Sequence, residues 1–298
     1  MIEEVYQRQS LLSSHYLMEF HGLFLRKKSQ SLKPRKLSKD FTKNMSLLGL
    51  DERPQQVEFA EKVEQLLREQ KTAFIQAQTG LGKTYGYMLP ALSMENEGGI
   101  LVSVPTKILQ NQIMQEEGSR LKDTFHIDIH SLKGPQNYLK LDNFYKVLHR
   151  PEPNRLFIRF KMQILIWLTE TETGDLDEIG QLYRYQHFLA ELVHDGKLSK
   201  KSLFISEDFW QRSQDRAKSS RLLLTNHAYL VTRLEDNPEF VNNRLVIIDE
   251  AQKMLIALEN LAQESYLLEA LVTQVQKSLE TEKDLSLIHI SEPTRPYS

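Results

Sequence analysis

The 298-residue chain contains no cysteine. That excludes disulfides, a thiolate nucleophile, cysteine-held zinc and an iron–sulfur cluster ligated by the chain's own thiolates. It also lacks any apolar run near the ~18 residues a membrane helix needs. Its first charged residues, Glu3 and Glu4, are acidic where a secretory leader would be basic. These absences predict a cytoplasmic protein with no membrane partner. Glycine is sparse at 12 residues, which excludes a collagenous chain. What remains is an ordinary folded composition, 40% hydrophobic and 26% charged, with a length that suits one large domain or two modest ones.

The net charge of −2 hides an asymmetry. Residues 1–50 carry +5 and the remainder −7. The excess sits in Arg26, Lys27, Lys28, Lys33, Arg35, Lys36, Lys39 and Lys43, interrupted by Pro34 and serines. This reads as a flexible basic connector, either a solvated linker or a segment that touches phosphates. Before it, residues 2–25 have helical apolar spacing. From residue 51 the texture changes to short apolar runs alternating with helical segments, the signature of βα units on a parallel sheet. The expected strands are Thr72–Ala77, Gly99–Pro105, Ile127–Leu132, Arg221–Thr225 and Arg244–Asp249. All but the third are continuously apolar, as strands buried on both faces should be. Residues 138–220 break the rhythm and read as a helical insertion that packs through Phe157, Ile158, Phe160, Ile164, Trp167 and Leu168. A capping box is expected at Asp175 and Glu178, and a long helix from Ala251 to about Glu280.

Two motifs carry chemistry. Ala77-Gln78-Thr79-Gly80-Leu81-Gly82-Lys83-Thr84 lies between an expected strand and an expected helix, the context of a phosphate-binding loop. Gly80 and Gly82 let backbone N–H groups turn toward phosphates, Lys83 reaches the β- and γ-phosphates, and the Thr84 hydroxyl ligates Mg²⁺. Leu245-Val246-Ile247-Ile248-Asp249-Glu250 ends an apolar strand in two carboxylates. In a nucleoside triphosphatase Asp249 holds Mg²⁺ through water and Glu250 takes a proton from the attacking water. His126, Asp128 and His130 alternate along a short run, but without a further ligand nearby they read as an exposed strand face rather than a metal site. His187 and His194 are expected on a helix surface. Tyr183, Tyr185 and Phe188 could stack on bases, but read better as the packed face of a helix.

Further segments resemble one family. Asp249-Glu250-Ala251-Gln252 resembles the DEAH box of superfamily 2 helicases, with Gln252 in place of the usual histidine. Arg53-Pro54-Gln55-Gln56 matches the position where the DinG/XPD branch reads adenine through glutamine, here Gln56. Val104-Pro105-Thr106-Lys107 resembles motif Ia, which contacts the DNA backbone through residues such as Thr106 and Lys107. Leu132–Leu139 and Leu224–Leu230, the latter containing Asn226 and His227, look like the borders of the iron–sulfur insertion of DinG-type helicases. The position where cluster-bearing members have cysteine is Lys140, so the resemblance implies a cluster-free branch that kept the insertion.

The implied fold is an α/β, RecA-like P-loop NTPase parallel sheet with a helical insertion, incomplete at its C-terminus. The expected layout is a helix and basic linker in 1–50, motor domain in 51–137 and 221–255, the insertion in 138–220, and the start of an arch-like insertion in 256–284. ATP and Mg²⁺ are the implied cofactors, with no iron–sulfur cluster. Arg53, Gln56, Gly80, Gly82, Lys83, Thr84 and Gln252 are the implied nucleotide contacts, Thr84 and Asp249 the metal contacts, Lys83, Asp249 and Glu250 the catalytic set. Thr106, Lys107, Asn226 and His227 are implied for nucleic acid. The partner is single-stranded or forked DNA, translocation runs 5′→3′, and a second motor domain is expected in the same full-length chain. Some relatives of this branch also carry a 3′–5′ exonuclease upstream. Two other readings of the residues stay open: a P-loop NTPase that is not a helicase, and a single-strand binding module that keeps the nucleotide fold as scaffold. Residues 285–295, Leu-Ser-Leu-Ile-His-Ile-Ser-Glu-Pro-Thr-Arg, match the translation of a transposase sequencing adapter. The tail 285–298 is therefore expected to be foreign to the domain.

Overall fold

The computed structural model describes residues 17–262, apart from 30–31, 79, 95–97 and 181. The tail expected to be foreign, most of the long C-terminal helix expected above and residues 2–16 of the expected N-terminal helix lie outside these residues. The described residues open with a hairpin where the end of that helix was expected. Strands β1 (Leu17–Phe20) and β2 (Leu23–Arg26) pair antiparallel through the two-residue turn His21-Gly22. Both turn residues have positive φ, 50° and 81°, the backbone twist that suits a right-handed hairpin. The basic connector follows, and it is not a free tether: Arg35 N–H donates to the Phe125 carbonyl at 2.8 Å, Leu37 is buried, and Ser38 is clasped by the Asn44 side chain.

The motor part begins with helices α1 (Phe41–Leu47) and α2 (Pro54–Arg68), the second starting on Pro54 at its first turn. Helix α3 (Lys83–Ser93) leads to β3 (Ile100–Val104), α4 (Lys107–Ile113), a π-helical turn at Met114–Gly118, α5 (Ser119–Phe125) and β4 (Ile129–Ser131). The insertion contributes α6 (Leu141–Leu148), α7 (Arg155–Leu168), the short α8 (Gln186–Leu189) and α9 (Phe209–Ser219). The chain re-enters the sheet as β5 (Leu222–Asn226), followed by α10 (His227–Asp236), β6 (Leu245–Ile248) and α11 (Met254–Ala262).

Strands β3 to β6 form one parallel sheet in the order β4-β5-β3-β6. Every residue of β3 and β5 is buried, as their mainly apolar sequences suit strands covered on both faces, with Ser103, Thr225 and Asn226 the polar members. Ile100, Val102, Val104, Leu222 and Leu224 face one core with α1–α5, while Leu101 and Leu223 face another with Ala217 of α9 and Leu230 of α10. Two expectations fail at the opposite edge. Thr72–Ala77 is not a strand: it has no partner in the sheet among the described residues, and Phe74 is 92% exposed. Strand β6 is the edge, half-exposed instead of buried on both faces, with Val246 and Ile248 facing outward. A lone apolar run cannot hold strand geometry, since a strand's backbone groups are satisfied only by a neighbour.

The insertion has its own core. Phe157, Phe160, Ile164, Trp167 and Leu168 of α7 are buried in it, and Leu23 and Leu25 of the N-terminal hairpin complete it. Ile158, expected among them, is only half-buried and stands outside this core, since it falls on the other face of the helix. Tyr185 stacks on Phe160 at 4.3 Å and Phe188 on Phe157 at 4.1 Å, so these rings pack rather than present themselves to bases. His187 is exposed, but His194 is fully buried, its Nε2 3.1 Å from the Asp208 carboxylate and its Nδ1 accepting from Gly196 N–H. His130 is also buried, 2.8 Å from Ser213 Oγ, so the supposed exposed face of β4 is covered by α9. Asp175 caps a single 3₁₀ turn by accepting from Asp177 N–H, while the Glu178 carboxylate turns to Trp167 and Thr171. No helix among the described residues is long and apolar enough to cross a membrane.

Candidate nucleotide site and its surroundings

The site lies at the C-terminal ends of β3, β5 and β6, where open parallel sheets bind ligands. Gly80 and Gly82 both hold left-handed φ, 79° and 82°. At Gly82 the space is closed as well as the conformation: a Cβ there would strike the Gln56 amide. Gln56, buried on α2, donates from Nε2 to the Gly82 carbonyl at 2.8 Å, and Arg53 donates to the Gly80 carbonyl at 2.7 Å. The two residues expected to read nucleotide therefore brace the loop from behind, a role the sequence did not reveal. Lys83 and Thr84 open α3, whose first N–H groups have no intrahelical partners.

Across the sheet edge, Asp249 follows β6, its N–H donating to the Ser103 carbonyl at 2.9 Å. Tyr87, one turn beyond Thr84, donates its hydroxyl to Asp249 Oδ2 at 3.2 Å, with the Thr84 side chain close enough to act on the phenol. Burial pushes the Tyr87 phenol well above its usual range, and the Asp249 charge adds to this. Sequence reasoning missed Tyr87. The helical spacing of Thr84 and Tyr87 was the available signal. The oxygens gathered here, the Thr84 hydroxyl and the Asp249 carboxylate, are the hard donors Mg²⁺ prefers when phosphates and water complete its shell. Glu250 sits in the left-handed region at φ 50°, a conformation non-glycine residues hold only where surroundings enforce it. Its carboxylate meets Lys253 Nζ at 2.6 Å, and Gln252 is exposed on the same turn.

The four residues expected at nucleic acid divide. Thr106 and Lys107 are exposed at the start of α4; Thr106 Oγ1 caps the helix by accepting from Leu109 N–H, and Lys107 donates to Asn137 Oδ1. Asn226 and His227 are 5% and 1% exposed, so their side chains offer no surface to a nucleic acid. The Asn226 amide is spent internally, capping α10 at Tyr229 N–H and donating to Gln110 Oε1 at 2.9 Å. Gln110 in turn donates to the Leu132 and Leu224 carbonyls.

A P-loop helix joined to an Asp-Glu turn at the edge of a parallel sheet defines a P-loop nucleotide-binding domain of the helicase type. A family model described as DEAD/DEAH box helicase matches residues 53–169. The chain is similar to proteins named 3′-5′ exonuclease DinG. The one from Staphylococcus saprophyticus is 31% identical over 215 residues, 70% of this chain and 23% of the relative. That from Bacillus subtilis is 32% identical over 217 residues, 68% of this chain and 22% of the relative. One from Staphylococcus aureus strain USA300 is 27% identical over 218 residues. The chain belongs to the DinG-like superfamily 2 helicases and spans under a quarter of the length of the first two relatives.

Proposed function

We propose that this chain is the first motor domain of an ATP-dependent DNA helicase, binding Mg²⁺-ATP and single-stranded or forked DNA and translocating 5′→3′ with a second motor domain of the same full-length protein. The convergence of Thr84, Tyr87 and Asp249 carries the nucleotide half of this reading, because it joins the P-loop helix to the acidic turn. Lys83 grips the phosphates, Thr84 and Asp249 hold the metal, which screens the phosphate charge, and Glu250 accepts the proton of the attacking water. Exposed Thr106 and Lys107 at the first turn of α4 support the nucleic-acid half, since helix N-termini and lysines are natural partners of phosphate oxygens.

Exonuclease activity stays with the relatives that bear its name; residues 1–50 here contain no Asp-x-Glu motif. Calorimetry with Mg²⁺-ATP is the test of nucleotide binding: wild type binds and Lys83→Ala does not. Undiminished affinity in Lys83→Ala refutes the assignment. The chain alone is expected to be a weak ATPase with little DNA stimulation. Phosphoryl transfer in P-loop enzymes gains about 10³–10⁵ from an arginine finger, and in this family a second domain supplies it. Robust DNA-stimulated turnover above a Glu250→Gln blank would show that the chain is catalytically complete.

A further inference from the structure

His227 is fully enclosed, yet only one of its ring nitrogens is used. Nδ1 lies 2.8 Å from Ser103 Oγ on β3, whereas Nε2 is buried without a hydrogen-bond partner. Buried polar atoms are almost always satisfied, so an orphan demands a reason. The register supplies one. Val104 pairs with Asn226 on one side of β3, and Ser103 with Ile248 on the other. His227 and Asp249 therefore step off the two strands that flank β3, one residue apart in register, with Ser103 between them. The Ser103 carbonyl takes the Asp249 N–H while its hydroxyl meets the imidazole. The backbone of Asp249 and Glu250 lies close enough to act on the ring electrostatically. That backbone includes the one left-handed residue of the turn, Glu250.

We propose that His227 is a positioning residue for the Asp249–Glu250 turn: Ser103 fixes the ring through Nδ1, and Nε2–H donates to a backbone carbonyl of the turn when Mg²⁺-nucleotide is bound. The inference rests on the Mg²⁺-nucleotide reading above and deepens it. In this arrangement the Ser103 hydroxyl is the donor to Nδ1, the direction that leaves the ring proton on Nε2 and makes the orphan a donor near the segment that carries the metal ligand and the base. The His227 backbone is fixed in turn by Asn226, which caps α10 and is locked to Gln110 of α4. The helix that begins with the exposed Thr106 and Lys107 and the turn that ends in Glu250 are thus held by side chains adjacent in sequence. This gives Asn226-His227 a function although neither reaches the surface.

The test compares the affinity of a fluorescent ATP analogue in EDTA and in saturating Mg²⁺. Asparagine mimics Nδ1 and glutamine mimics Nε2, so the two substitutions separate the two bonds. His227→Asn should keep the wild-type melting temperature and EDTA affinity but lose about 10-fold of the Mg²⁺-dependent gain, the usual scale for removing a group that orients a metal ligand. His227→Gln should recover most of it. Wild-type Mg²⁺ dependence in His227→Asn overturns the inference, and so does an equal loss with and without Mg²⁺, which would mark a purely structural role. If His227→Asn fails to fold, Ser103→Ala decides: it frees the ring and should lower the Mg²⁺-dependent gain, and an unchanged gain overturns the inference. A wild-type chain that binds no nucleotide in either condition overturns the P-loop reading itself, and this inference with it.

Discussion

Lys133 is the cation whose loss should be felt most. It follows β4 in the motor part, is 1% exposed, and its Nζ lies 2.5 Å from Asp175 and 2.8 Å from Asp177 of the insertion. Replacing it by leucine keeps the bulk and removes the charge, stranding two carboxylates. Asp177 is 31% exposed and can rehydrate; Asp175, at 14%, cannot do so fully. Removing one partner of a buried pair costs about 3–5 kcal/mol, and the exposure of Asp177 places Lys133→Leu near the lower end. The penalty should depend on pH in a stated direction. Burial already pushes the Asp175 carboxyl above its usual value, and Lys133 opposes that rise. Without the lysine the folded-state value climbs further above the unfolded one. Protonation then favours the folded variant, so the penalty is largest near pH 7.5 and shrinks as pH falls. Urea unfolding can be followed by Trp167 and Trp210, the chain's two tryptophans, both within the insertion. Adding Asp175→Asn to Lys133→Leu should recover about half the loss, since a neutral amide tolerates the site better than a bare charge. A loss under about 1 kcal/mol at pH 7.5, an equal loss at pH 5, or no recovery in the double variant would refute the reasoning.

Other substitutions probe the loop, the hairpin and α9. Gly82→Ala should weaken nucleotide binding at least about tenfold, equal to roughly 1.4 kcal/mol, because the left-handed backbone is strained and the Cβ displaces Gln56; normal affinity by calorimetry contradicts this. Leu23→Ala, at a fully buried hairpin position, should cost about 2–5 kcal/mol in the tryptophan-reported transition, and a silent substitution would remove the hairpin from the insertion core. His130 is held down to about 4, chiefly by burial and then by the Arg216 charge. Its unfolded value is higher, so its contribution is complete above about pH 6.5 and is lost as pH falls toward 4, by about 2 kcal/mol at pH 5. His130→Gln should flatten that part of the stability profile, and an unchanged slope would count against it.

The parts of the fold that were legible in the sequence are those whose order is local. Strands β3 and β5 read correctly because mainly apolar runs have one comfortable place, the middle of a parallel sheet. The helix opening at Lys83 and the left-handed Gly80 and Gly82 were legible because these residues are contiguous. What misled was context from far along the chain. Thr72–Ala77 has the composition of a strand, but strand formation needs a neighbour and composition does not supply one. Residues 2–25 fit a helical period, yet His21-Gly22 is a hairpin turn, and the alternation of Leu23 and Leu25 points both into a core made mostly of residues more than 110 positions later. The polar interior was least visible. Lys133 with Asp175, His194 with Asp208, and His227 with Ser103 are satisfied or strained by partners 14 to 124 residues away, so each residue alone looked like surface. At the site, Tyr87 escaped notice because its hydroxyl meets Asp249 across 162 positions.

The N-terminal hairpin has a consequence for the order of events at the ribosome. Leu23 and Phe204 share one core, and at about 5–20 residues per second the second emerges roughly ten to forty seconds after the first. An isolated two-stranded hairpin is marginal in water. During that interval Leu17–Arg26 is an uncovered ribbon followed by the basic strap, and β3 and β4 wait as well, because both pair with β5, which is made after the insertion. The motor sheet therefore closes last, once β5 and β6 have been made, and the insertion before it closes onto the earliest-made segment of its core. Trigger-type chaperones that bind apolar stretches would find their longest-lived target there, and the yield of folded protein should respond more to changes in residues 17–26 than their small share of the structure suggests.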